Sequence, residues 1–339
     1  MMKLSDFDFE LPKDRIAQHP SEKRDHSRLM ILERSDQTIT HEHFYNIIDH
    51  LDSNDVLVIN DTKVIPARLM GIKEATDALI EVLLLKETSP NIWDAMTKPA
   101  KRVKIGTKIH FGELLIAECI GIKEEGIRTF QMKYEGIFIE ILEALGTMPL
   151  PPYITEKLVE KDRYQTVYAK DLGSAAAPTA GLHFTKDLLA KVKEKGVLIV
   201  PITLHVGLGT FKPVSVENIL EHHMHEETYT MTKESANLLN DAINSKKNII
   251  CVGTTSLRTI ESNFNSKFIP GTFDTSIFIY PGYQFKAVSK LITNFHLPKS
   301  TLIMLVSALA GNEFIKKAYL EAVEKHYRFF SFGDAMFIK

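Results

Sequence analysis

An α/β fold interrupted by a small all-β insertion is what this sequence predicts, and three observations carry that reading. Helix-like and strand-like segments alternate from about residue 185 to the C-terminus, short strand-like pieces separated by glycine fill residues 69–147, and 44% apolar with 25% charged side chains is ordinary for a water-soluble globular chain. At 339 residues the chain exceeds one compact domain of usual size, so two domains, or one carrying an insertion, are expected. The expected division is a discontinuous α/β unit of residues 1–68 and 148–339, with residues 69–147 as the inserted β unit.

Taken in order, the first strong signal is DVLVINDTKVIPARL, where an apolar run enters the polar turn Asn60-Asp61-Thr62. A side chain at such a strand end is well placed for chemistry. The pieces ALIEVLLLKE, KIGTKIHFG, ELLIAECIGI and IRTFQMKYEG then read as strands of a small β domain. The Pro-rich run Met148 to Ile154 lacks several backbone donors and favours extended geometry, so it reads as a linker returning to the first unit. Thr185 is positioned to cap the helix KDLLAKVKEK, which Gly196 stops, and VLIVPITLHV follows as a strand. The helix KESANLLNDAINSK precedes the strand NIICVGTTS, which runs directly into another helix. LITNFHLP is a strand, Ser300 or Thr301 caps the apolar helix LIMLVSALA, and Gly311 ends it. Alternation of this kind sets active groups at strand C-termini.

Charge and cysteine content narrow the function classes. Forty-one basic against 43 acidic side chains argue against a uniformly basic nucleic-acid coat, so RNA contact must be a local patch. Cys119 and Cys251 cannot build a disulfide framework and suit a reducing cytoplasm. No secretory leader or transit pattern opens the sequence, and Leu302 to Ala310 is too short to span a bilayer, which needs about twenty residues. A cytoplasmic protein without membrane contact is expected.

Four apolar runs stop in small, hydroxyl or imidazole residues: INDTK, LHVGLGTF, VGTTSLRT and TNFHLP. Together these ends can rim one pocket, and a helix that follows at once offers unpaired N–H groups to an anion. In VGTTSLRT, Thr254, Thr255 and Ser256 offer hydroxyls and Arg258 a planar donor fork for a carboxylate or phosphate. The competing reading is a capping cluster with an Arg258–Glu261 surface ion pair. In LHVGLGTF, His205 precedes Gly207, Gly209 and Thr210, where bare backbone can face a flat ligand, although on this feature alone a tight turn is the favoured reading of the glycines. Thr179, Gly181 and His183 in APTAGLHFT can pack around a ligand or form an interdomain loop, and His183 and His296 each also fit as hydrogen-bonded core residues. Lys98, Lys101, Arg102 and Lys104 supply several phosphate contacts or merely a solvated strand face; Arg15, Lys23, Arg24 and Arg28 extend that patch only if the fold unites them.

Two rival classes rest on other features. The cluster His222, His223, His225, Glu226 and Glu227 has the chemistry of a transition-metal site without the spacing of a zinc-protease helix, which leaves a metal-dependent hydrolase as one alternative. A non-catalytic RNA-binding module, relying on the basic patch alone, is the other.

The blocks LPKDRIAQHPSEKRDHSRLM, VLVINDTKVIPARL, AAPTAGLHFT, HVGLGTFKPV, HHMHEE, GTTSLRTIE, TNFHLPKSTLIMLVSALAG and YRFFSFGDAM resemble the S-adenosylmethionine:tRNA ribosyltransferase-isomerase family, in the family's order from residue 11 to residue 336. The resemblance implies a larger α/β barrel-like domain with an inserted all-β domain. It also implies transfer and isomerisation of the ribosyl part of S-adenosylmethionine onto 7-aminomethyl-7-deazaguanine at a tRNA wobble position, giving epoxyqueuosine with release of adenine and methionine. S-adenosylmethionine is then a consumed substrate, no metal or other cofactor is expected, and a monomer is the expected state. Asp61, His183 and His205 become candidates for proton transfer, and Thr179, Gly207, Gly209, Thr210, Thr254, Thr255, Arg258, Asn294 and His296 candidates for substrate binding. Three departures are Leu208 for Ala, Ala175 for Val, and Phe332 for Tyr; the last removes a phenol from any indispensable role.

Overall fold

A computed structural model describes residues 2–156, 158, 160–207 and 214–339. The chain opens with 3-10 turns and the antiparallel pair β1 (Arg28–Glu33) and β2 (Thr38–His43), then β3 (Asp55–Asn60) and the short β4 (Thr62–Val64). Six strands follow: β5 (Arg68–Lys73), β6 (Leu79–Ser89), β7 (Ile92–Lys98), β8 (Lys108–Phe111), β9 (Leu115–Ile122) and β10 (Ile127–Tyr134), with helix α1 (Phe138–Leu145) after them. The remainder alternates β11 (Asp171–Ser174), α2 (Lys186–Glu194), β12 (Leu198–Leu204), β13 (Glu227–Met231), α3 (Lys233–Asn244), β14 (Asn248–Val252), α4 (Thr254–Asn263), β15 (Gly271–Thr275), β16 (Lys290–Asn294), α5 (Thr301–Ala310), α6 (Asn312–Glu324) and β17 (Ala335–Ile338).

A nine-stranded sheet in the order β15-β13-β12-β3-β14-β16-β17-β1-β2 organises the α/β body. Its centre is parallel, β12, β3, β14 and β16 all running one way. Burial on both faces explains why β3 reads as a continuous apolar run and not as an alternation. One face packs Val56, Val58 and Cys251 against α3 to α6, and the other packs Leu57, Ile59 and Val252 against Leu188 and Val192 of α2. At one margin β2 carries the polar sequence THEH, a composition that suits an edge strand. The helix signals act as the sequence predicts: Thr185 accepts from the Leu188 N–H at 3.1 Å, and Ser300 from the Ile303 N–H at 3.3 Å.

The insertion is a closed barrel in the order β10-β7-β6-β5-β8-β9, with its own core and with Ile141 and Leu142 of α1 packed into it. The chain enters and leaves at one neck, where Arg68 and Thr147 exchange backbone hydrogen bonds of 3.2 and 2.9 Å. An α/β body with an all-β insert is the class the sequence predicts. Among the described residues no helix is long and apolar enough to cross a membrane.

Candidate active site at the sheet edge

Because β12, β3, β14 and β16 are parallel, their C-termini reach one edge of the sheet, and the antiparallel β17 and its parallel neighbour β1 begin there. Asp61, His205, Thr254 and His296 therefore emerge side by side from four strand ends. Asn60 locks two of these ends together: its side-chain N–H donates to the Leu204 carbonyl at 2.9 Å, while its oxygen accepts from the Leu204 and Thr62 N–H groups at 3.0 and 3.2 Å.

His205 lies at the mouth of this edge. Its Nδ1 meets the Thr62 hydroxyl at 2.8 Å, while Nε2 has no hydrogen bond among the described residues. The ring leans on the backbone of Gly173, where a Cβ would come within 3.0 Å of it, so a side chain there would push the imidazole away. Burial lowers the His205 pKa from its ordinary value, with the charge of Asp171 opposing the shift, so the neutral ring is favoured. Asp61 is 8% exposed and accepts from the Thr203 hydroxyl at 2.7 Å; the Asp171 carboxylate lies 3.2 Å from the same hydroxyl. One hydroxyl proton serves two carboxylates, and burial first, then Asp171, raises the Asp61 pKa while the Thr203 bond opposes.

His183 and Asn294 form a closed network. The Asn294 amide donates to His183 Nε2 at 2.9 Å, which leaves the Nδ1 proton for the Ser27 hydroxyl at 2.7 Å, and the Thr179 hydroxyl donates to the Asn294 carbonyl at 3.0 Å. Stacked on Phe44 at 5.0 Å, His183 has its pKa lowered to about 3 by burial, then by Arg328 and Arg24. His296 is likewise buried, its Nε2 3.0 Å from the Thr293 hydroxyl, and burial lowers its pKa to about 3. Both rings are neutral scaffolding groups, and neither nitrogen of His183 is free to take a proton from a ligand.

Helix α4 follows Gly253, which adopts φ of 86°, and no side chain caps it. Ser256 turns back to the Val252 carbonyl at 2.8 Å, and the Thr255 hydroxyl is buried without a partner among the described residues. The capping-cluster reading of this segment therefore does not describe the fold. Nor does an Arg258–Glu261 surface pair: Arg258 is 4% exposed and bonds the Glu227 carboxylate. Glu261 instead accepts the backbone N–H groups of Lys286, Ala287 and Val288 at 2.9 to 3.0 Å. Arg258 also donates from Nε to the Ile277 carbonyl at 3.3 Å, and its Nη2 is buried with no partner among the described residues. With two arms engaged, one arm remains for a ligand.

A cleft of about 870 Å³ lies between this edge and the barrel. His205, Gly207, Glu227 and Arg258 line it on the body side, and Trp93, Met96, Ile127 and Phe138 on the barrel side. Lys86 of the barrel crosses to the Thr228 hydroxyl at 2.9 Å. Asp61, Thr179, His183, Thr254, Thr255, Asn294 and His296 stand on the same edge without lining the cleft. Gly209, Thr210 and Leu208 lie outside the described residues. Lys98, Lys101, Arg102 and Lys104 are exposed at the far end of β7 and in the following turn, which Arg128 pins by donating to the Ala100 and Val103 carbonyls at 2.9 Å. None of the four makes an ion pair among the described residues. Lys98 closes β7, and the other three stand in the turn that follows it.

Several neighbours escape sequence reasoning. Glu227 belongs to the cluster read as a metal candidate, yet its carboxylate faces a guanidinium, and no group of three metal-capable side chains is assembled among the described residues. Asp171, Thr203 and Gly173 lie in segments with no chemical motif, and Trp93 in one read only as part of a β domain. Phe332 is 3% exposed and packs edge-on to Tyr164 at 5.9 Å, as a core ring.

A parallel sheet whose strand ends face an inserted barrel across a polar-and-apolar cleft defines an α/β enzyme class with its site at the topological edge. Within that class, the chain belongs to the queuosine biosynthesis protein family, whose pattern it matches over residues 4–338. It is similar to a solved structure described as an S-adenosylmethionine tRNA ribosyltransferase from Thermotoga maritima, at 38% identity, covering 99% of this chain and 100% of that one, with a TM-score of 0.57.

Proposed function

We propose that this protein transfers the ribosyl moiety of S-adenosylmethionine to 7-aminomethyl-7-deazaguanine in tRNA and isomerises it to epoxyqueuosine, releasing adenine and methionine. The observation that carries the reading is the cleft itself, in which a neutral-favouring imidazole and a buried guanidinium–carboxylate pair face an apolar wall. Family membership and the ribosyltransferase likeness support it.

The reaction needs a base for the acidic proton beside the sulfonium, help for departing adenine, and a neutral amine that attacks the sugar carbon. His205 is the base in this account, since its Nε2 has no hydrogen bond among the described residues and it lines the cleft. Asp61 and His183 act behind it as positioning residues. Arg258 takes the methionine carboxylate through Nη2, while Thr254, Thr255, Asn294, His296 and Thr179 build the strand-end edge behind the cleft. S-adenosylmethionine is consumed, with no further cofactor, and the protein acts as a cytoplasmic monomer. The discontinuous body and the insert of residues 69–147 are taken as separate units gripping the two substrates. Adenine release from S-adenosylmethionine that requires precursor tRNA is the expected outcome; release without tRNA, or none with it, overturns the reading.

A further inference from the structure

Trp93 is the only tryptophan in the chain, it lines the cleft from the barrel side, and it is 7% exposed. Phe138 holds its ring at 5.5 Å between centroids, and Tyr134 supports Phe138 at 4.8 Å. Its indole N–H is buried without an acceptor among the described residues. A buried donor left unpaired is costly, and a ligand or water that accepts from it removes the cost.

The opposite wall has contrary chemistry. There Arg258 and Glu227 stand paired and nine-tenths buried, one guanidinium arm unpartnered among the described residues. A cation and an anion side by side match an amino-acid head group, whose carboxylate pairs with the one and whose ammonium pairs with the other. An aromatic ring beside Met96 and Ile127 matches a flat base.

We infer that the sulfonium donor binds in one orientation across the cleft: its amino-acid end at the Arg258–Glu227 pair and its adenine against the barrel wall at Trp93. The sugar and sulfur then lie between, along the wall that carries His205 and Gly207. The inserted barrel thereby reads the donor's base and is not only a support for RNA. This inference rests on the function proposed above, and Trp93 gives it a reporter that the function alone does not.

The test titrates the full-length protein without tRNA and follows tryptophan emission, excited where tyrosine does not absorb. S-adenosylmethionine and adenosine are expected to change the emission saturably, and methionine to leave it unchanged. Trp93→Phe, which keeps a ring and removes the N–H, is expected to raise KM for S-adenosylmethionine about 5- to 30-fold with a smaller effect on kcat. Normal turnover by the wild-type protein with silent emission overturns the orientation alone, as does an emission change seen only with tRNA, or a response to methionine as large as that to adenosine. Unchanged KM in a folded Trp93→Phe protein has the same consequence. Should that variant unfold, the wild-type emission decides. Absence of any turnover removes the proposed function and this inference with it.

Discussion

At the scale of single residues, His205 differs from every other histidine on this edge. His183 spends both nitrogens on Ser27 and Asn294, and His296 is fixed by Thr293, whereas among the described residues His205 has only Nδ1 engaged. Its pKa lies below the ordinary imidazole value because burial outweighs the attraction of Asp171. The neutral base therefore forms on raising pH through a value under the usual imidazole range, and kcat/KM should rise along that limb and then level. His205→Ala should lower kcat by about 100-fold or more, the usual contribution of a positioned base. An alanine variant with the wild-type pH limb and rate would remove His205 from proton transfer.

At the scale of elements, the network joining the 179–183 turn, the end of β16 and the start of β1 is tied to pH through two neutral imidazoles. His183 and His296 have folded pKa values of about 3, so between there and the ordinary value near 6.5 the unfolded chain binds protons that the folded chain refuses. Stability is then greatest above about pH 6.5 and is lost as pH falls, each ring contributing a slope of at most about 1.4 kcal/mol per pH unit. Urea midpoints measured from pH 7 to 5 should fall, and His296→Gln should show a shallower slope by about one proton. An unchanged slope in that variant would mean His296 is charged in the fold.

The elements also divide into those the sequence announces and those it conceals. The caps at Thr185 and Ser300, the stops at Gly196 and Gly311, and the central strands were legible because local chemistry and buried periodicity agree there. The N-terminal hairpin of β1 and β2 was not, because β1 is a short buried run and β2 a polar edge whose partner lies across the turn. Strand β7 was also hidden, since Trp93 and Ala95 alternate with polar residues over one short stretch that ends in the basic turn. The site was half legible for a related reason. Strand-end residues can be read from sequence, but the Arg258–Glu227 pair joins positions that only the β12–β13 return brings together, and the apolar wall belongs to an insertion whose position is set by the neck at Arg68 and Thr147.

At the scale of the whole molecule, near-neutral net charge makes tRNA binding depend on where the basic side chains stand. Met96 and Ile127, which line the cleft, pair across β7 and β10, and the basic turn follows two residues beyond Met96. The proposed seating of a substrate base in the cleft would bring its phosphates toward Lys98, Lys101, Arg102 and Lys104. Replacing Lys101 and Arg102 with glutamine should weaken tRNA binding and reduce the slope of log K against log salt by about 1.4 to 1.8. An unaltered slope would take this turn off the RNA surface.

The proposed function requires one cleft, between the sheet edge and the barrel, to join a sulfonium nucleoside to a wobble base. Its most direct test is to incubate the protein with S-adenosylmethionine and tRNA carrying the aminomethyl precursor, digest the tRNA, and weigh the modified nucleoside. The account predicts conversion of precursor to epoxyqueuosine with one adenine released for each nucleoside formed. Recovery of unaltered precursor from a folded protein that binds both substrates would contradict it.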